Sequence, residues 1–574
     1  MKLAFKLVTI TLLLTTQLTS QNKPNVLLIV LDDLNDYIGV LGGHPQAKTP
    51  HIDQLAKEGV LFTNAHSNVP VCSPSRASFM NGILPTTSKN WGFDNWLKNE
   101  MLINSKSLPE YFRDNGYTSY QSGKVFHTAK KGAWDEMGAV AEYGPLAYNG
   151  KKAALHPSCP KAMGTLGPLD ATFASLADIP DVAATKEASG HKGWWNTNWK
   201  TNTAFHYKDD SDRDLMTDEK STAWFAKKIK TLEDAESNTP FFISLGFIRP
   251  HTPLVVPQKY FDRFPVSEVQ IPVYKKNDRS DTKLQENTLG KEPRGRTAFR
   301  TLTSAYSSEE RAMQAYLQAY LASVSFADDR VGEALSTLEK SKYKDNTIVV
   351  LFSDHGYNMG EKEYLFKYCL WEESTRVPLI IKSPNHIQNA GKTVDHPVSL
   401  VDIYPTLQDL CKLQGSTVLN EKGARLDGFS LQPFLENPNT NKWEGPDVAL
   451  TVVSSWKSKK ANEQHLAVRS KDFRYIHYAN GSEELYDHKN DPYEWNNVAS
   501  KSNYKSIKTN LKHQLFDIVK VPNKKTTLEV TPMEKDKKLA NEKWKDTYFK
   551  ENPKADTNKD GILTWQEYKI HKNQ

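Results

Sequence analysis

Four runs of mostly apolar residues end abruptly on charged or titratable side chains, and no other feature of this 574-residue chain restricts its fold as much. "PNVLLIVLDDLND" is uninterrupted from Val26 to Leu31 and closes on Asp32 and Asp33. "NTIVVLFSDHG" closes on Asp354 and His355, "PFFISLGFIRPH" on Arg249 and His251, and "GYTSYQSGKVFH" on Lys124 and His127. A continuous rather than alternating apolar run suits a strand covered on both faces, as in a parallel sheet. Ahead of the "NTIVV" run, Leu317, Leu321, Val324, Val331, Leu335 and Leu338 follow three-and-four spacing, which predicts a helix packed on that sheet. The fold class is α/β: a large mixed, mostly parallel sheet flanked by helices. Ligands of such sheets bind beyond the carboxyl ends of the strands. Acids, histidines and a lysine from distant parts of the chain are therefore expected to converge there.

The length allows one large domain and a smaller one. A net charge of +6 is mild and its Lys and Arg are scattered, which argues against nucleic acid as the partner. "MKLAFKLVTITLLLTTQLTS" places Lys2 and Lys6 before an apolar run shorter than the roughly 20 residues a membrane span needs. Residues 1–20 are thus expected to be a signal peptide, with the mature protein exported to the periplasm or secreted and carrying no membrane span. Residues 21–430 are expected to form the catalytic domain. "HLAVRSKDFRYIHYANGSEELYDHKNDPYE" alternates in short strands around an Asn-Gly turn, predicting a small antiparallel sheet in a C-terminal subdomain, 431–530. Polar stretches near 130–215 and 266–310 look like insertions rather than core. Four cysteines are too few for a disulfide framework.

Asp32, Asp33 and Asp354, with His355 or a neighbour, offer oxygen-rich ligands of net negative charge. Adjacent carboxylates in a low-dielectric cleft repel, and a cation is their natural counter-charge. Oxygen-rich sites favour calcium or magnesium over zinc. "VCSPSRASFMNG", residues 71–82, is too rich in small polar residues for a core strand, and its length and Pro74 predict a fixed turn rather than a helix. That turn would present the Cys72 sulfur beside the permanent charge of Arg76.

Cys72-Ser73-Pro74-Ser75-Arg76 matches the Cys-x-Pro-x-Arg signature, and the chain resembles the type I, formylglycine-dependent sulfatases of the alkaline phosphatase superfamily. Asn81-Gly82 stands where that signature usually has Thr-Gly. The likeness extends to about residue 500 through "TPHIDQLAKEGVLFTNAH", "RPHTPLVVP", "SDHGYNMGEKEYLFK" and "ELYDHKNDPYEWNN". "GKVFH" with "SDHG" is most similar to the iduronate-sulfatase-like branch, in which His follows the metal-binding Asp in place of Asn. The resemblance implies that a maturation enzyme oxidises Cys72 to formylglycine (3-oxoalanine). One hydroxyl of its hydrate attacks sulfur, and the other later expels sulfate. It further implies calcium held by Asp32, Asp33, Asp354, His355 and the modified Cys72. Arg76 would orient the hydrate, and Lys124 and Lys367 would bind sulfate oxygens. His251 would protonate the leaving alcohol, and His127 would take the proton that releases sulfate.

Bland readings apply elsewhere. Arg376 suits a structural ion pair, and Trp194, Trp195 and Trp199 suit loop packing. Trp91 and Asn95 are better placed to touch substrate. In the tail, 531–574, "DTNKDGILTWQE" fits an EF-hand calcium loop with Asp556, Asn558, Asp560, the Ile562 carbonyl and Glu567 as ligands of a second calcium ion. The expected function is an exported sulfatase acting on a sulfated oligosaccharide or polysaccharide, resembling bacterial enzymes for algal polymers such as ulvan or carrageenan. The alternatives are a phosphodiester or phosphonate monoester hydrolase of the same superfamily, and a non-catalytic binder of sulfated glycans.

Overall fold

The structure, a computed structural model, describes residues 23–197, 202–287, 291–520, 548, 550–555 and 571. The eight strands of its main sheet are, in chain order, β1 (Asn25–Asp32), β2 (Val60–Phe62), β3 (Thr118–Gly123), β4 (Glu136–Met137), β5 (Phe241–Pro250), β6 (Thr347–Ser353), β7 (Leu379–Lys382) and β8 (Thr393–Val394). Their order across the sheet is β8-β2-β7-β6-β1-β5-β3-β4. Strand β1 pairs in parallel with β5 and β6, and β5 in parallel with β3, whereas β7 runs antiparallel to both β6 and β2. The four apolar runs are therefore neighbours that all point the same way.

The uninterrupted character of β1 has a direct cause. Leu27, Ile29 and Leu31 face one core and Val26, Leu28 and Val30 the other, all fully buried. Each such side chain contributes about 1.5–3 kcal/mol relative to exposure. The first core is covered by the helix Glu309–Glu339, in which Leu317, Leu321, Val324, Val331 and Leu338 are buried at the expected spacing. The second is covered partly by helix α1, Cys72–Asn81. Gly123 and Gly246 let β3 close tightly on β5, since a Cβ on Gly123 would meet the Gly246 carbonyl at 2.1 Å.

Two expectations are corrected. Residues 72–81 form a helix, not a turn: Pro74 sits in the first turn, where its missing N–H removes no intrahelical bond, and Gly82 (φ 67°) caps the other end. The polar stretches are not mere insertions, because Met163, Phe173, Trp194 and Phe205 from the first, and Val269, Phe299 and Leu302 from the second, join the core beneath Glu309–Glu339. The apolar residues there are few, but those that join the core are mostly large and are buried.

Four further strands, β9 (Ala449–Val453), β10 (His465–Arg469), β11 (Phe473–His477) and β12 (Glu483–Asp487), form an antiparallel sheet in sequential order. Gly481 (φ 88°) supplies the left-handed residue of the turn between β11 and β12. Contacts divide the chain into two compact units, Met1–Asn523 and Lys524–Gln574. Among the described residues, no helix is long and apolar enough to cross a membrane. Residues 1–20 and the loop of Asp556, Asn558, Asp560, Ile562 and Glu567 lie outside the described residues.

Candidate active site

The parallel strands deliver their terminal residues to one edge of the sheet. Register pairs Leu31 with Ser353 and Asp32 with Pro250, so Asp32, Asp33, His251, Asp354 and His355 meet there. Lys124, one residue beyond β3, joins them by donating its backbone N–H to the Gly246 carbonyl at 2.8 Å. Helix α1 enters this edge at its first residue, placing the Cys72 sulfur 3.3 Å from His355 Nε2 and 3.4 Å from Lys367 Nζ. All of these side chains are buried. His127 is exposed at the rim, its ring 5.8 Å from that of Phe93.

Three carboxylates interleave with three fixed cations. Arg76 donates from Nε to Asp354 Oδ2 at 2.7 Å and sits 3.5 Å from Asp32 Oδ1. Lys124 pairs with the other oxygen of Asp32. Lys367 donates to both oxygens of Asp33, at 2.7 and 2.9 Å. His355 Nδ1 lies 3.3 Å from Asp33 Oδ1 and His251 Nε2 3.8 Å from Asp33 Oδ2. The Thr252 carbonyl accepts from His251 Nδ1 at 2.5 Å, which turns Nε2 toward the pocket.

The electrostatics follow from burial and crowding. Burial raises the Asp32 carboxyl, but Lys124, His251 and Arg76 overcome that and hold it well below the carboxylate range. Burial, opposed by Lys367 and reinforced by Asp32 and Asp354, pushes Asp33 up to about 8. Burial, opposed by Arg76, leaves Asp354 at about 6. Burial and the adjacent Asp32 push the Cys72 thiol up to about 12, so the unmodified sulfur is neutral at physiological pH. Burial and the Lys367 cation hold both His251 and His355 well below the usual imidazole value.

Two ligand sets, Asp32–Asp33–Cys72–His251 and Asp32–Cys72–Asp354–His355, keep their donor atoms within 4.8 Å of one another. Asp32 Oδ1 is buried and accepts no hydrogen bond from the described residues. A buried, ionised oxygen without a donor, between two other carboxylates, fits a hard divalent cation.

Further side chains brace the site. Tyr143 places its ring 4.8 Å from Lys124 Nζ and 4.9 Å from the His251 ring. Ser75 and Ser67 donate to the Asp354 carbonyl at 2.6 and 2.8 Å, and Tyr320 donates to the Asp33 carbonyl at 2.8 Å. Tyr143 lies in a polar stretch without a motif; Ser75 was visible inside the Cys-x-Pro-x-Arg stretch. Arg376 pairs with Asp36 at 3.1 Å, as a structural ion pair. Trp194 is buried against His156, and Trp195 stacks on Tyr148. Trp91 does not face the site: it is buried among Val448, Leu450 and Leu466. Asn95 is exposed and caps the turn Trp96–Lys98 through Leu97 N–H.

The fold is of the class that sulfatases share, and the gathered side chains lie beyond the ends of its parallel strands. More narrowly, the chain belongs to the sulfatase family and is a sulfuric ester hydrolase. The family profile "Sulfatase" matches residues 24–413, and the profile "N-sulphoglucosamine sulphohydrolase, C-terminal" matches 360–524. A sulfatase of Formosa agariphila is 36% identical over 84% of this chain and 85% of its own length. An ulvan-active sulfatase of the same organism is 28% identical over 86% and 80%. The crystal structure of the phosphonate monoester hydrolase of Agrobacterium radiobacter shares the fold, with a TM-score of 0.60 at 22% identity over 86% of this chain and 95% of that one.

Proposed function

We propose that this protein is an exported sulfatase that removes sulfate from oligosaccharides of a marine algal polysaccharide such as ulvan, after oxidation of Cys72 to formylglycine. The observation that carries this reading is the Cys72 sulfur, held at the first residue of α1 among three carboxylates and three cations. A neutral, buried thiol is a poor nucleophile, which supports its conversion. The 28% identity to an ulvan-active enzyme supports the substrate class. Residues 21–430 would be the catalytic domain, 431–530 a subdomain and 531–574 a calcium-binding tail.

Asp32, Asp33, Asp354 and His355, with the modified Cys72, would hold calcium. When bound, calcium polarises the nucleophile and a sulfate oxygen, and the hydrated aldehyde supplies both an attacking hydroxyl and a second one that lets sulfate leave. The chain's own residues do the rest. Arg76, anchored on Asp354, fixes the side chain at position 72. Arg76, Lys124 and Lys367 already face the three carboxylates, so a divalent ion leaves the pocket net positive, and an anionic sulfate ester offsets part of that charge. Lys124 and Lys367 then face the sulfate oxygens and stabilise the charge that develops on them. His251, neutral in the free site, takes up a proton at Nε2 as the anionic ester enters and gives it to the departing alcohol. His127, at the rim, accepts the proton whose loss frees sulfate.

The test is sulfate release by enzyme matured with a formylglycine-generating enzyme, on ulvan and carrageenan oligosaccharides and on a phosphodiester. The peptide containing position 72 should lose about 18 Da on maturation, and Cys72→Ala should be inactive. Full activity of Cys72→Ala overturns the mechanism, and a preference for the phosphodiester overturns the substrate.

A further inference from the structure

Two large aromatic side chains stand exposed beside the pocket with no part in the core. Phe93 is 61% and Trp456 67% exposed, whereas Trp91, Trp96 and Trp194 are fully buried. They come from segments more than 350 residues apart, yet Phe93 borders His127 and Trp456 borders the chain neighbour of Lys367. The Phe93 ring meets the edge of His127 at 5.8 Å. The Trp456 ring lies 6.3 Å from Tyr368, the residue that follows Lys367. The two segments touch: a Cβ on Gly92 would lie 3.4 Å from the far edge of the Trp456 indole, and Lys459 pairs with Asp94 at 3.4 Å.

The loop that presents Trp456 is built to hold it out. Trp456 has φ 59°, a left-handed conformation that costs a bulky residue about 1–2 kcal/mol. Gln464, fully buried behind it, accepts from Ser455 N–H at 2.9 Å and donates to the Ser458 and Lys460 carbonyls at 2.9 and 2.7 Å. Trp456 N–H donates to Ser454 Oγ at 3.1 Å. An indole held in water by a strained backbone weakens folding, and its return lies in what it contacts.

We propose that Trp456 and Phe93 form a stacking subsite for the sugar ring next to the one that carries the scissile sulfate ester. A pyranose presents an apolar C–H face to an indole and keeps its hydroxyls at the rim, where amphipathic aromatic side chains suit it. Lys457, exposed on the same loop, favours an anionic chain. The enzyme therefore prefers sulfated oligosaccharides to single sulfated sugars. This inference rests on the carbohydrate reading above.

The test compares kcat and KM for a sulfated oligosaccharide with those for an aryl sulfate, which has no second sugar ring to occupy the subsite. Trp456→Asn removes the ring and tolerates the left-handed backbone, and Trp456→Phe keeps an aromatic face. Trp456→Asn should raise KM for the oligosaccharide about tenfold, equivalent to ~1.4 kcal/mol, and lower the ratio of oligosaccharide to aryl sulfate kcat/KM by the same factor. Trp456→Phe should recover most of that ratio. Equal losses on both substrates, or an unchanged oligosaccharide KM, overturn the subsite. Wild-type enzyme that hydrolyses the aryl sulfate and no sulfated oligosaccharide overturns the carbohydrate reading itself, and the subsite with it.

Discussion

His251 and His127 occupy different positions relative to the sulfur, and their proposed roles separate on that basis. His251 is buried, 3.8 Å from Asp33, where a leaving oxygen would depart; His127 stands at the exposed rim. Loss of His251 should hurt a sugar alcohol far more than an activated phenol, which leaves without a proton. A positioned acid contributes about a hundred- to ten-thousand-fold, so His251→Ala should show that gap between a sulfated sugar and an aryl sulfate. His127→Ala should slow both substrates alike and give a burst of alcohol that runs ahead of sulfate release. Stopped-flow measurement of alcohol against sulfate distinguishes them, and a burst from His251→Ala would reverse the two roles. At this scale much was legible in the sequence, because charged residues that end buried strands are conspicuous against an apolar run. Tyr143 was not, since its place depends on ring contacts with Lys124 and His251 from other segments. Trp91 misled for the same reason: closeness to Cys72 along the chain says nothing of the strands it packs against.

Helix α1 shows why an element can hide in its own sequence. All ten of its residues are buried, so it has no polar face and no three-and-four periodicity to betray it. The strands and the long helix were legible because each has one environment per face. A second element-scale feature, invisible in the sequence, ties the antiparallel sheet to the segment after Lys367. Arg474 on β11 donates to Glu494 at 2.6 Å and also pairs with Glu372, while His488 lies 2.9 Å from Glu494 and Arg469 on β10 donates to Glu372 at 3.1 Å. Burial raises the Glu494 carboxyl, but Arg474 and His488 overcome that and lower it from 4.5 to about 2. The folded chain therefore binds fewer protons here than the unfolded one. The resulting stability is present in full above pH 4.5 and is lost as pH falls through about 2. Glu494→Gln keeps the shape and removes the charge, leaving Arg474 short of a buried partner. It should cost about 3 kcal/mol at pH 7 and flatten the decline between pH 4.5 and 2. Denaturant midpoints at pH 7 and near the acid end of that window measure both. An acid limb as steep as wild type would show that Glu494 is not the group responsible.

The whole molecule has a seam at one place by two independent measures. Contacts divide the chain after Asn523, and the second family profile ends at residue 524. Every candidate for the sulfatase chemistry lies before that point, from Asp32 to Lys367. The α/β class and the antiparallel sheet were legible because local patterns report them; the contribution of 130–215 and 266–310 to the core was not, because a few apolar residues in a polar stretch leave no period. The tail carries only the EF-hand-like spacing of Asp556, Asn558, Asp560, Ile562 and Glu567. Its role separates from catalysis by truncation after Asn523. A cut that crosses no candidate site residue should leave the rate of sulfate release within about twofold. The truncated enzyme should also bind one calcium ion fewer per chain, by elemental analysis, because an EF-hand loop holds a single ion. Chelation should still abolish its activity while the near-ultraviolet signal of its buried aromatic residues persists, since the proposed active-site ion would serve the chemistry and the two cores flanking the main sheet hold the fold. Equal calcium content with and without the tail would remove the loop from the list of metal sites, and full activity in chelator would remove the ion from the active site.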